Sequence, residues 1–213
     1  MWALNVMIPS ISTVARTSRL QFFVVLGLAF YLPIMLMLVG VVPFAYRFHV
    51  LLLVSAALAA YAMVQGYGAR ELGLRTDNLA SSFAINAALS GILVALLLGA
   101  WALGLIRGPT IPDWSLFFFA YVFVFVPAQE FSCRGFLFGA MERSGIVHGA
   151  AQVGVSAVSY AFLHAIYWDA LTLAVTLLMG VVWGVVYRLW PNLWGVILSH
   201  AVLGVVSIFV GVI

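Results

Sequence analysis

The sequence predicts an all-α membrane protein, a polytopic bundle of about seven transmembrane helices. Hydrophobic residues make up 66% of the 213 residues and charged residues only 7%, against about 25% charged residues in an average soluble domain. Apolar runs of about 20 residues recur along the chain, and each is long enough to cross roughly 30 Å of hydrocarbon. A lipid bilayer is therefore the expected environment of most of the chain.

Transmembrane spans are predicted where the apolar runs are separated by clusters of charged residues, proline or glycine. Such clusters occur at Pro43 to Arg47, Arg70 to Asp77 and Arg107 to Pro109, and two more follow Glu142 and Leu189. The predicted spans are 20–43, 49–66, 80–106, 114–142, 148–167, 170–188 and 193–213.

The distribution of arginine predicts the orientation of the chain, because cytoplasmic loops carry an excess of basic residues. All nine basic residues are Arg. With the N-terminus inside, only Arg47 and Arg107 lie outside, which predicts an N-in and C-out topology. The net charge of +3 is too small to indicate binding of nucleic acid. The arginines on or toward the cytoplasmic face are then Arg16, Arg19, Arg70, Arg75, Arg134, Arg143 and Arg188.

Small residues recur at helical spacing in two places. Gly135 precedes Gly139 by one turn, and Gly180 precedes Gly184 in the same way. Small residues at this spacing allow transmembrane helices to approach closely. Both pairs are therefore predicted to be packing positions.

The fourth span contains charged residues, and burying a charge in hydrocarbon is unfavourable unless the charge is paired or has a function. A carboxylate or guanidinium in hydrocarbon costs about 2.5–3.5 kcal/mol even on the most lenient scale. Glu130 and Arg134 are spaced i,i+4 on one helical face, where an ion pair lowers the cost of burying each. A purely structural ion pair and a functional site are both open interpretations of this segment taken alone.

His164 and His200 add two imidazoles inside later spans. With a rise of about 1.5 Å per residue, Glu130, His164 and His200 lie at comparable depths, between about 10 and 24 Å from the inner face. Side chains of this kind activate water and stabilise an oxyanion, which is the chemistry of peptide-bond hydrolysis. Two His and one Glu also suit a zinc site with an open position for water, although no His-Glu-x-x-His stretch accompanies them.

Several motifs together resemble the CAAX-protease and bacteriocin-processing family, also called Abi-type, of intramembrane glutamic endopeptidases. The similarity covers roughly residues 70–205, and the order and spacing of the motifs agree with the family. The motifs are Glu71 to Arg75, Gln129-Glu130 followed by Arg134-Gly135, Tyr160 followed by His164, Gly180 to Arg188, Leu193-Trp194 and Ser199-His200.

The resemblance implies roles for these residues and reveals departures from the family pattern. In the family, a first Glu and a first His activate water, and a second His and an Asn form the oxyanion hole. Here Gln129 stands in place of the first Glu, Gly204 in place of the Asn, and Tyr160 in place of a Phe. An amide side chain does not titrate near neutral pH, so Gln129 cannot be the base.

We therefore expect Glu130 and His164 to activate water, His200 to be an oxyanion donor, and Arg134 and Gln129 to support them. An alternative leaves His164 alone as the base. No cofactor is expected, and zinc bound by Glu130, His164 and His200 is a minority alternative. The expected substrate is a membrane protein or peptide cleaved near its membrane-embedded or C-terminal part.

The resemblance also implies an organisation for the chain. Residues 1–19 are expected to be a tail or an interfacial helix, 20–106 three N-terminal transmembrane helices, and 107–213 a catalytic core of four. The implied location is multi-pass in a bacterial or archaeal cytoplasmic membrane.

Two other functions are alternatives to a glutamic-type peptidase. The departures at Gln129 and Gly204 favour a non-catalytic protein that binds a peptide partner, such as an immunity or sorting factor. A rhomboid-like serine peptidase would use Ser156, which follows Gly154 in a near match to a Gly-x-Ser-Gly motif. Cys133 is expected to be buried as a small apolar residue rather than to act as a nucleophile.

Overall fold

The computed structural model describes residues 17–106 and 114–212. Every regular element in these two ranges is a helix, which confirms the all-α fold class. Most of the predicted N-terminal tail, including Arg16, lies outside the described residues, as does the break at Arg107.

Seven helices follow one another in the described ranges, one in each predicted span. Six of them, all except α4, are long and apolar enough to cross a membrane, α5 when it is counted together with the short helix that ends at Tyr167, so the chain is a multi-pass integral membrane protein. The helix α4 fills the remaining predicted span, 114–142, and the total of seven spans stays a prediction. The helices are α1 (Arg19–Leu38), α2 (Phe44–Val64), α3 (Leu79–Ala102), α4 (114–143), α5 (Gly149–Leu163), α6 (Ala170–Leu189) and α7 (Leu193–Val210).

Two of these helices contain widened π-helical turns next to proline. In α1 the π turn Gly27–Tyr31 ends two residues before Pro33, and in α4 the π turn Tyr121–Phe125 ends two residues before Pro127. Proline lacks an N–H donor and its ring collides with the carbonyl of the preceding turn, so the helix widens there. A second π turn in α4, Phe131–Phe136, follows Glu130 and contains Arg134.

The glycine pairs are confirmed as packing positions. A Cβ on Gly180 would lie 2.8 Å from the Cα of Ala157, and a Cβ on Gly184 would lie 3.3 Å from Val153, so α6 lies directly against α5. The Gly135 face of α4 instead meets the loop between α2 and α3, where a Cβ would lie 2.8 Å from the carbonyl oxygen of Leu72. Glycine is what allows each close approach.

Side-chain caps set where the last two helices begin. Asp169 accepts a hydrogen bond from the backbone N–H of Thr172 at 3.0 Å and begins α6. Asn192 accepts one from the N–H of Trp194 at 2.9 Å, and its amide donates to Asn78 at the start of α3. These caps satisfy N–H groups that have no partner inside a helix. The Asn192 contacts also hold the start of α7, which carries His200, next to the start of α3.

The arginines at one end of the bundle form a polar cluster. Arg143, at the end of α4, donates to both carboxylate oxygens of Glu71 at 2.8 and 2.7 Å and lies over the ring of Tyr67. This hydrogen-bonded pairing holds the pKa of Glu71 below its ordinary value. Arg70, Arg75 and Arg188 line a shared surface depression beside that pair. The clustering agrees with the predicted cytoplasmic face, and the orientation itself stays a prediction.

Candidate active site

The centre of the bundle contains a completely buried ion pair. Glu130 and Arg134 are each 0% exposed, and Nη1 of Arg134 donates to Oε1 of Glu130 at 3.0 Å. The guanidinium also lies 4.5 Å from the ring centre of Tyr160 and 5.5 Å from that of Trp183. An ion pair and two aromatic faces together offset the cost of placing this charge inside the membrane.

His200 on α7 is bonded to the same carboxylate. Its Nδ1 lies 2.6 Å from Oε1 of Glu130, and its Nε2 lies 3.3 Å from the hydroxyl of Tyr160. A carboxylate beside Nδ1 holds the proton on that nitrogen and stabilises the imidazolium when Nε2 is also protonated. Glu130 is therefore placed to orient His200 and to support a positive charge on it.

Aromatic rings fix the plane of the His200 imidazole. Trp183 stacks on it with ring centres 4.6 Å apart and an interplanar angle of 23°. The indole N–H of Trp183 donates to Ser199, which also accepts from Ser90 on α3 at 2.9 Å. A ring held by stacking and by a hydrogen-bonded neighbour loses little entropy when it binds a reacting group.

His164 occupies the end of α5, and this position determines its tautomer. The last carbonyl groups of a helix have no partner within it. One of these, the carbonyl of Tyr160, lies 2.9 Å from Nδ1 of His164. A carbonyl oxygen only accepts, so Nδ1 carries the proton and Nε2 has a free lone pair. No hydrogen bond to Nε2 is found among the described residues.

A cavity of about 650 Å³ joins the two histidines. His164, His200, Tyr160 and Gln129 all lie on its wall, whereas Glu130 does not. Most of the remaining wall is apolar and comes from α3, α6 and α7, including Leu93, Leu96, Leu97, Val175, Leu178, Met179, Leu203 and Ile208.

The sequence predicted that Glu130 and His164 act as a pair, and the described residues do not contain this pair. Oε1 of Glu130 is bonded to Arg134 and His200, and no contact of Glu130 with His164 is found in the described part of the chain. Successive helical residues point about 100° apart, so Gln129 faces the cavity while Glu130 faces the protein interior. The second expectation from the sequence, with His164 alone as the base, agrees with these positions.

Gly204 on α7 lies on the cavity wall one helical turn after His200. A Cβ at this position would lie 2.8 Å from Cζ of Tyr121 and would overlap the hydroxyl oxygen of that residue. The phenol of Tyr121 therefore occupies the space in which a side chain at position 204 would stand.

The zinc alternative has no suitable set of ligands in the described residues. No group of three or more His, Cys, Asp and Glu side chains there is arranged to hold a metal ion. Nδ1 of His200 and Oε1 of Glu130, which would be two of the donors, are bonded to each other.

Ser156 and Cys133 are both used in packing. The hydroxyl of Ser156 donates to the backbone carbonyl of Cys133 at 2.9 Å, and both residues are 0% exposed. Neither residue lies on the cavity wall. A nucleophile needs a neighbouring base and access to substrate, so this arrangement disfavours the serine-peptidase alternative.

Three aromatic residues of the site were missed by reasoning from the sequence. Trp183 lies between the two packing glycines of α6 and stacks on His200. Tyr160 stands in place of the family's Phe, and its hydroxyl contacts His200, which a phenylalanine could not do. Tyr121 meets Gly204 only through the fold, and the sole signal in the sequence was the missing side chain at position 204.

Comparison with known proteins identifies a family for the segment that carries this site. A family model described as type II CAAX prenyl endopeptidase, Rce1-like, matches residues 111–206. No curated protein and no solved structure matches the chain significantly. The matched segment begins just before α4, ends within α7 and contains Gln129, Glu130, Arg134, His164 and His200. The resemblance in the motifs is thus confirmed over residues 111–206, which match the model of the Rce1-like family of CAAX-type proteases.

Proposed function

We propose that the chain is an active intramembrane endopeptidase in which His164, rather than a glutamate, takes the proton from water. The supporting observation is that His164 has its proton fixed on Nδ1 by the carbonyl of Tyr160, and that His164 lies on the cavity wall with no hydrogen bond to Nε2 among the described residues. A base must present a lone pair to the water that it activates. Among the polar residues of this site, His164 meets that condition without being committed to another side chain.

Gln129 has a positioning role in this proposal. It lies on the same cavity wall as His164, and its amide offers both a donor and an acceptor. A water molecule held between the Gln129 amide and Nε2 of His164 is oriented toward the cavity. Its oxygen attacks the scissile carbonyl carbon while its proton passes to Nε2.

The end of α5 favours the charge that His164 acquires. An imidazolium at a helix C-terminus is stabilised by about 0.3–2 kcal/mol through the helix dipole. When the tetrahedral intermediate collapses, the C–N bond breaks and His164 returns the proton to the leaving amine nitrogen. The products are a carboxylic acid and an amine, and His164 recovers its starting state.

The group of Glu130, Arg134 and His200 stabilises the oxyanion in this scheme. With Nδ1 bonded to Glu130, a protonated His200 presents Nε2–H to the cavity beside Tyr160. One carboxylate, one guanidinium and one imidazolium carry a net charge of +1, which an oxyanion neutralises. Donors preorganised at a developing negative charge, away from water, are among the largest contributions to catalysis.

The cavity wall suits an apolar substrate segment. Its lining is mainly aliphatic, and Arg47 is the only Asp, Glu, Lys or Arg among the described residues that line it. The substrate class that we propose is therefore a membrane-anchored protein or peptide with an apolar or lipid-modified stretch beside the scissile bond. Pockets of this kind take most of their affinity from buried apolar surface.

Cleavage by the purified chain in lipid nanodiscs tests this function. Two internally quenched peptides are compared, one ending in a prenylated cysteine with three further residues and one ending in an unmodified apolar tail. We expect the wild type to cleave at least one of them about 10²–10⁴ times faster than His164→Ala, the loss typical of a missing general base.

Mass spectrometry of the products identifies the bond that is cut. Photo-crosslinking of the same peptides to the His164→Ala variant measures binding without cleavage. Binding of both peptides with no cleavage by the wild type would contradict the proposal and would favour the non-catalytic peptide-binding alternative.

A further inference from the structure

The wall of the cavity beside His200 contains a hydroxyl group to which the scheme above gives no role. Tyr121 lies at the start of the first π turn of α4, and its side chain reaches the cavity next to α7. Its ring meets the imidazole of His200 edge-on, with ring centres 6.3 Å apart and an interplanar angle of 77°. Its ring also stacks on that of Phe117, with ring centres 5.7 Å apart and an interplanar angle of 21°. The phenol therefore contacts two aromatic rings, one of them the imidazole.

Space for this phenol depends on the glycine at position 204. The overlap between the Tyr121 hydroxyl and a Cβ at position 204 means that the phenol and any side chain there exclude each other. Position 204 follows His200 by one turn on α7, so the hydroxyl lies on the same helical face as the imidazole. The Tyr121 hydroxyl thus occupies the space into which a side chain at position 204 would project.

Three polar side chains near the Tyr121 hydroxyl already contact other groups of the protein. The Tyr160 hydroxyl contacts His200, the Trp183 N–H donates to Ser199, and the Thr176 hydroxyl donates to the carbonyl of Thr172. No hydrogen bond of the Tyr121 hydroxyl is found among the described residues. A neutral O–H group on an apolar wall is a donor available to a bound substrate.

We infer that Tyr121 is a catalytic residue that donates the second hydrogen bond to the oxyanion, beside Nε2–H of His200. This inference rests on the proposed peptidase function. The phenol O–H donates to the oxygen that becomes negatively charged when water adds to the scissile carbonyl, and no proton is transferred. In this inference α4 supplies, through Tyr121, the donor that the family has on α7 at the position of Gly204.

The Tyr121→Phe variant removes only the hydroxyl and keeps both ring contacts. We expect kcat to fall by about 10²–10³-fold, as for the removal of one oxyanion donor, with KM within about twofold because the ground-state carbonyl gains little from this bond. Tyr31→Phe is the matched control, since it removes a phenol hydroxyl that contacts Ser159 outside the cavity, and its kcat should equal that of the wild type.

A rescue experiment separates donation from packing. Tyr121→Ala opens the space beside position 204, and combining it with Gly204→Asn supplies an amide donor from α7. We expect the double variant to exceed Tyr121→Ala in kcat by about tenfold or more, a partial recovery of what one oxyanion donor contributes. A peptide phosphonate that mimics the tetrahedral intermediate should lose affinity for Tyr121→Phe by a factor similar to the loss in kcat.

The outcomes distinguish this inference from the proposed function. Cleavage at the wild-type rate by Tyr121→Phe, with unchanged affinity for the phosphonate, would overturn the role of Tyr121 and leave the peptidase function standing. Absence of cleavage by the wild type would overturn both. A fall in kcat for Tyr121→Phe with no recovery in the double variant and no change in phosphonate affinity would also overturn the donor role, because packing alone explains that result.

Discussion

Replacing His164 with alanine is expected to lower kcat/KM for peptide cleavage by about 10²–10⁴-fold, the contribution of a general base. The reason is that no other side chain on the cavity wall replaces its free Nε2: His200 is bonded to Glu130 and is the oxyanion donor in the proposed scheme, and Gln129 does not titrate. Steady-state cleavage of a quenched peptide measures the loss. Circular dichroism in the same detergent verifies that the helices remain formed.

Ser156→Ala is the matched control for that variant. Both residues lie on α5 or directly after it, but the Ser156 hydroxyl is buried and donates to the carbonyl of Cys133. We expect this control to keep activity within about threefold of the wild type, because only one buried hydrogen bond is lost. Loss of activity in Ser156→Ala together with full activity in His164→Ala would indicate a serine mechanism and contradict the account.

Replacing Arg134 with methionine is expected to have the largest effect on stability. It leaves the carboxylate of Glu130 completely buried with only His200 as a partner. Removing one member of a buried ion pair typically costs about 3–5 kcal/mol. The free energy of unfolding, measured by titrating mixed micelles with sodium dodecyl sulfate, should fall by that amount.

Two further variants isolate the cause of this loss. Arg70→Met removes an arginine whose side chain is 72% exposed and pairs with Asp77 at the surface, so its effect should stay below about 1 kcal/mol. Combining Glu130→Gln with Arg134→Met should cost less than the sum of the single changes, since neither charge is then left alone. An Arg134→Met protein as stable as Arg70→Met would show that the pair is not a structural element.

The arrangement of helices was largely predictable because it follows from the distribution of apolar residues. Each predicted span contains one helix, and the breaks follow proline, glycine and charged residues, as at Pro191 and Asn192. The π turns of α4 were not predictable in this way. They depend on how the helix widens around Pro127 and after Glu130, which a regular period does not describe.

The residues of the site were easier to predict than their partners. Glu130, Arg134, His164 and His200 stood out because ionisable groups are costly in hydrocarbon. Whether Glu130 or Gln129 faced His164 depended on the rotation of α4 about its axis, which the packing of α7 and α5 against it determines. The contact of Tyr121 with Gly204 joins two distant helices, and a single sequence contains no signal for a pair of that kind.

The sequence predicted that residues 107–213 form the catalytic core, but helices before this segment also line the cavity. Phe44, Arg47 and Phe48 of α2 line the cavity, as do Leu93, Leu96 and Leu97 of α3. These residues lie outside the segment 111–206 that matches the family. Substrate selection is therefore expected to depend partly on residues outside the matched segment, while the groups proposed for catalysis lie within it.

The cleavage rate of the wild type beside that of Gln129→Glu tests the central claim most directly. Gln129 is the residue that departs from the family pattern at the position of the expected base, and it shares the cavity wall with His164. If His164 is a sufficient base, the wild type cleaves the peptide, and its rate is not below that of Gln129→Glu by the roughly 10²–10⁴-fold that a general base contributes. A wild type that does not cleave, next to a Gln129→Glu variant that does, would contradict the account.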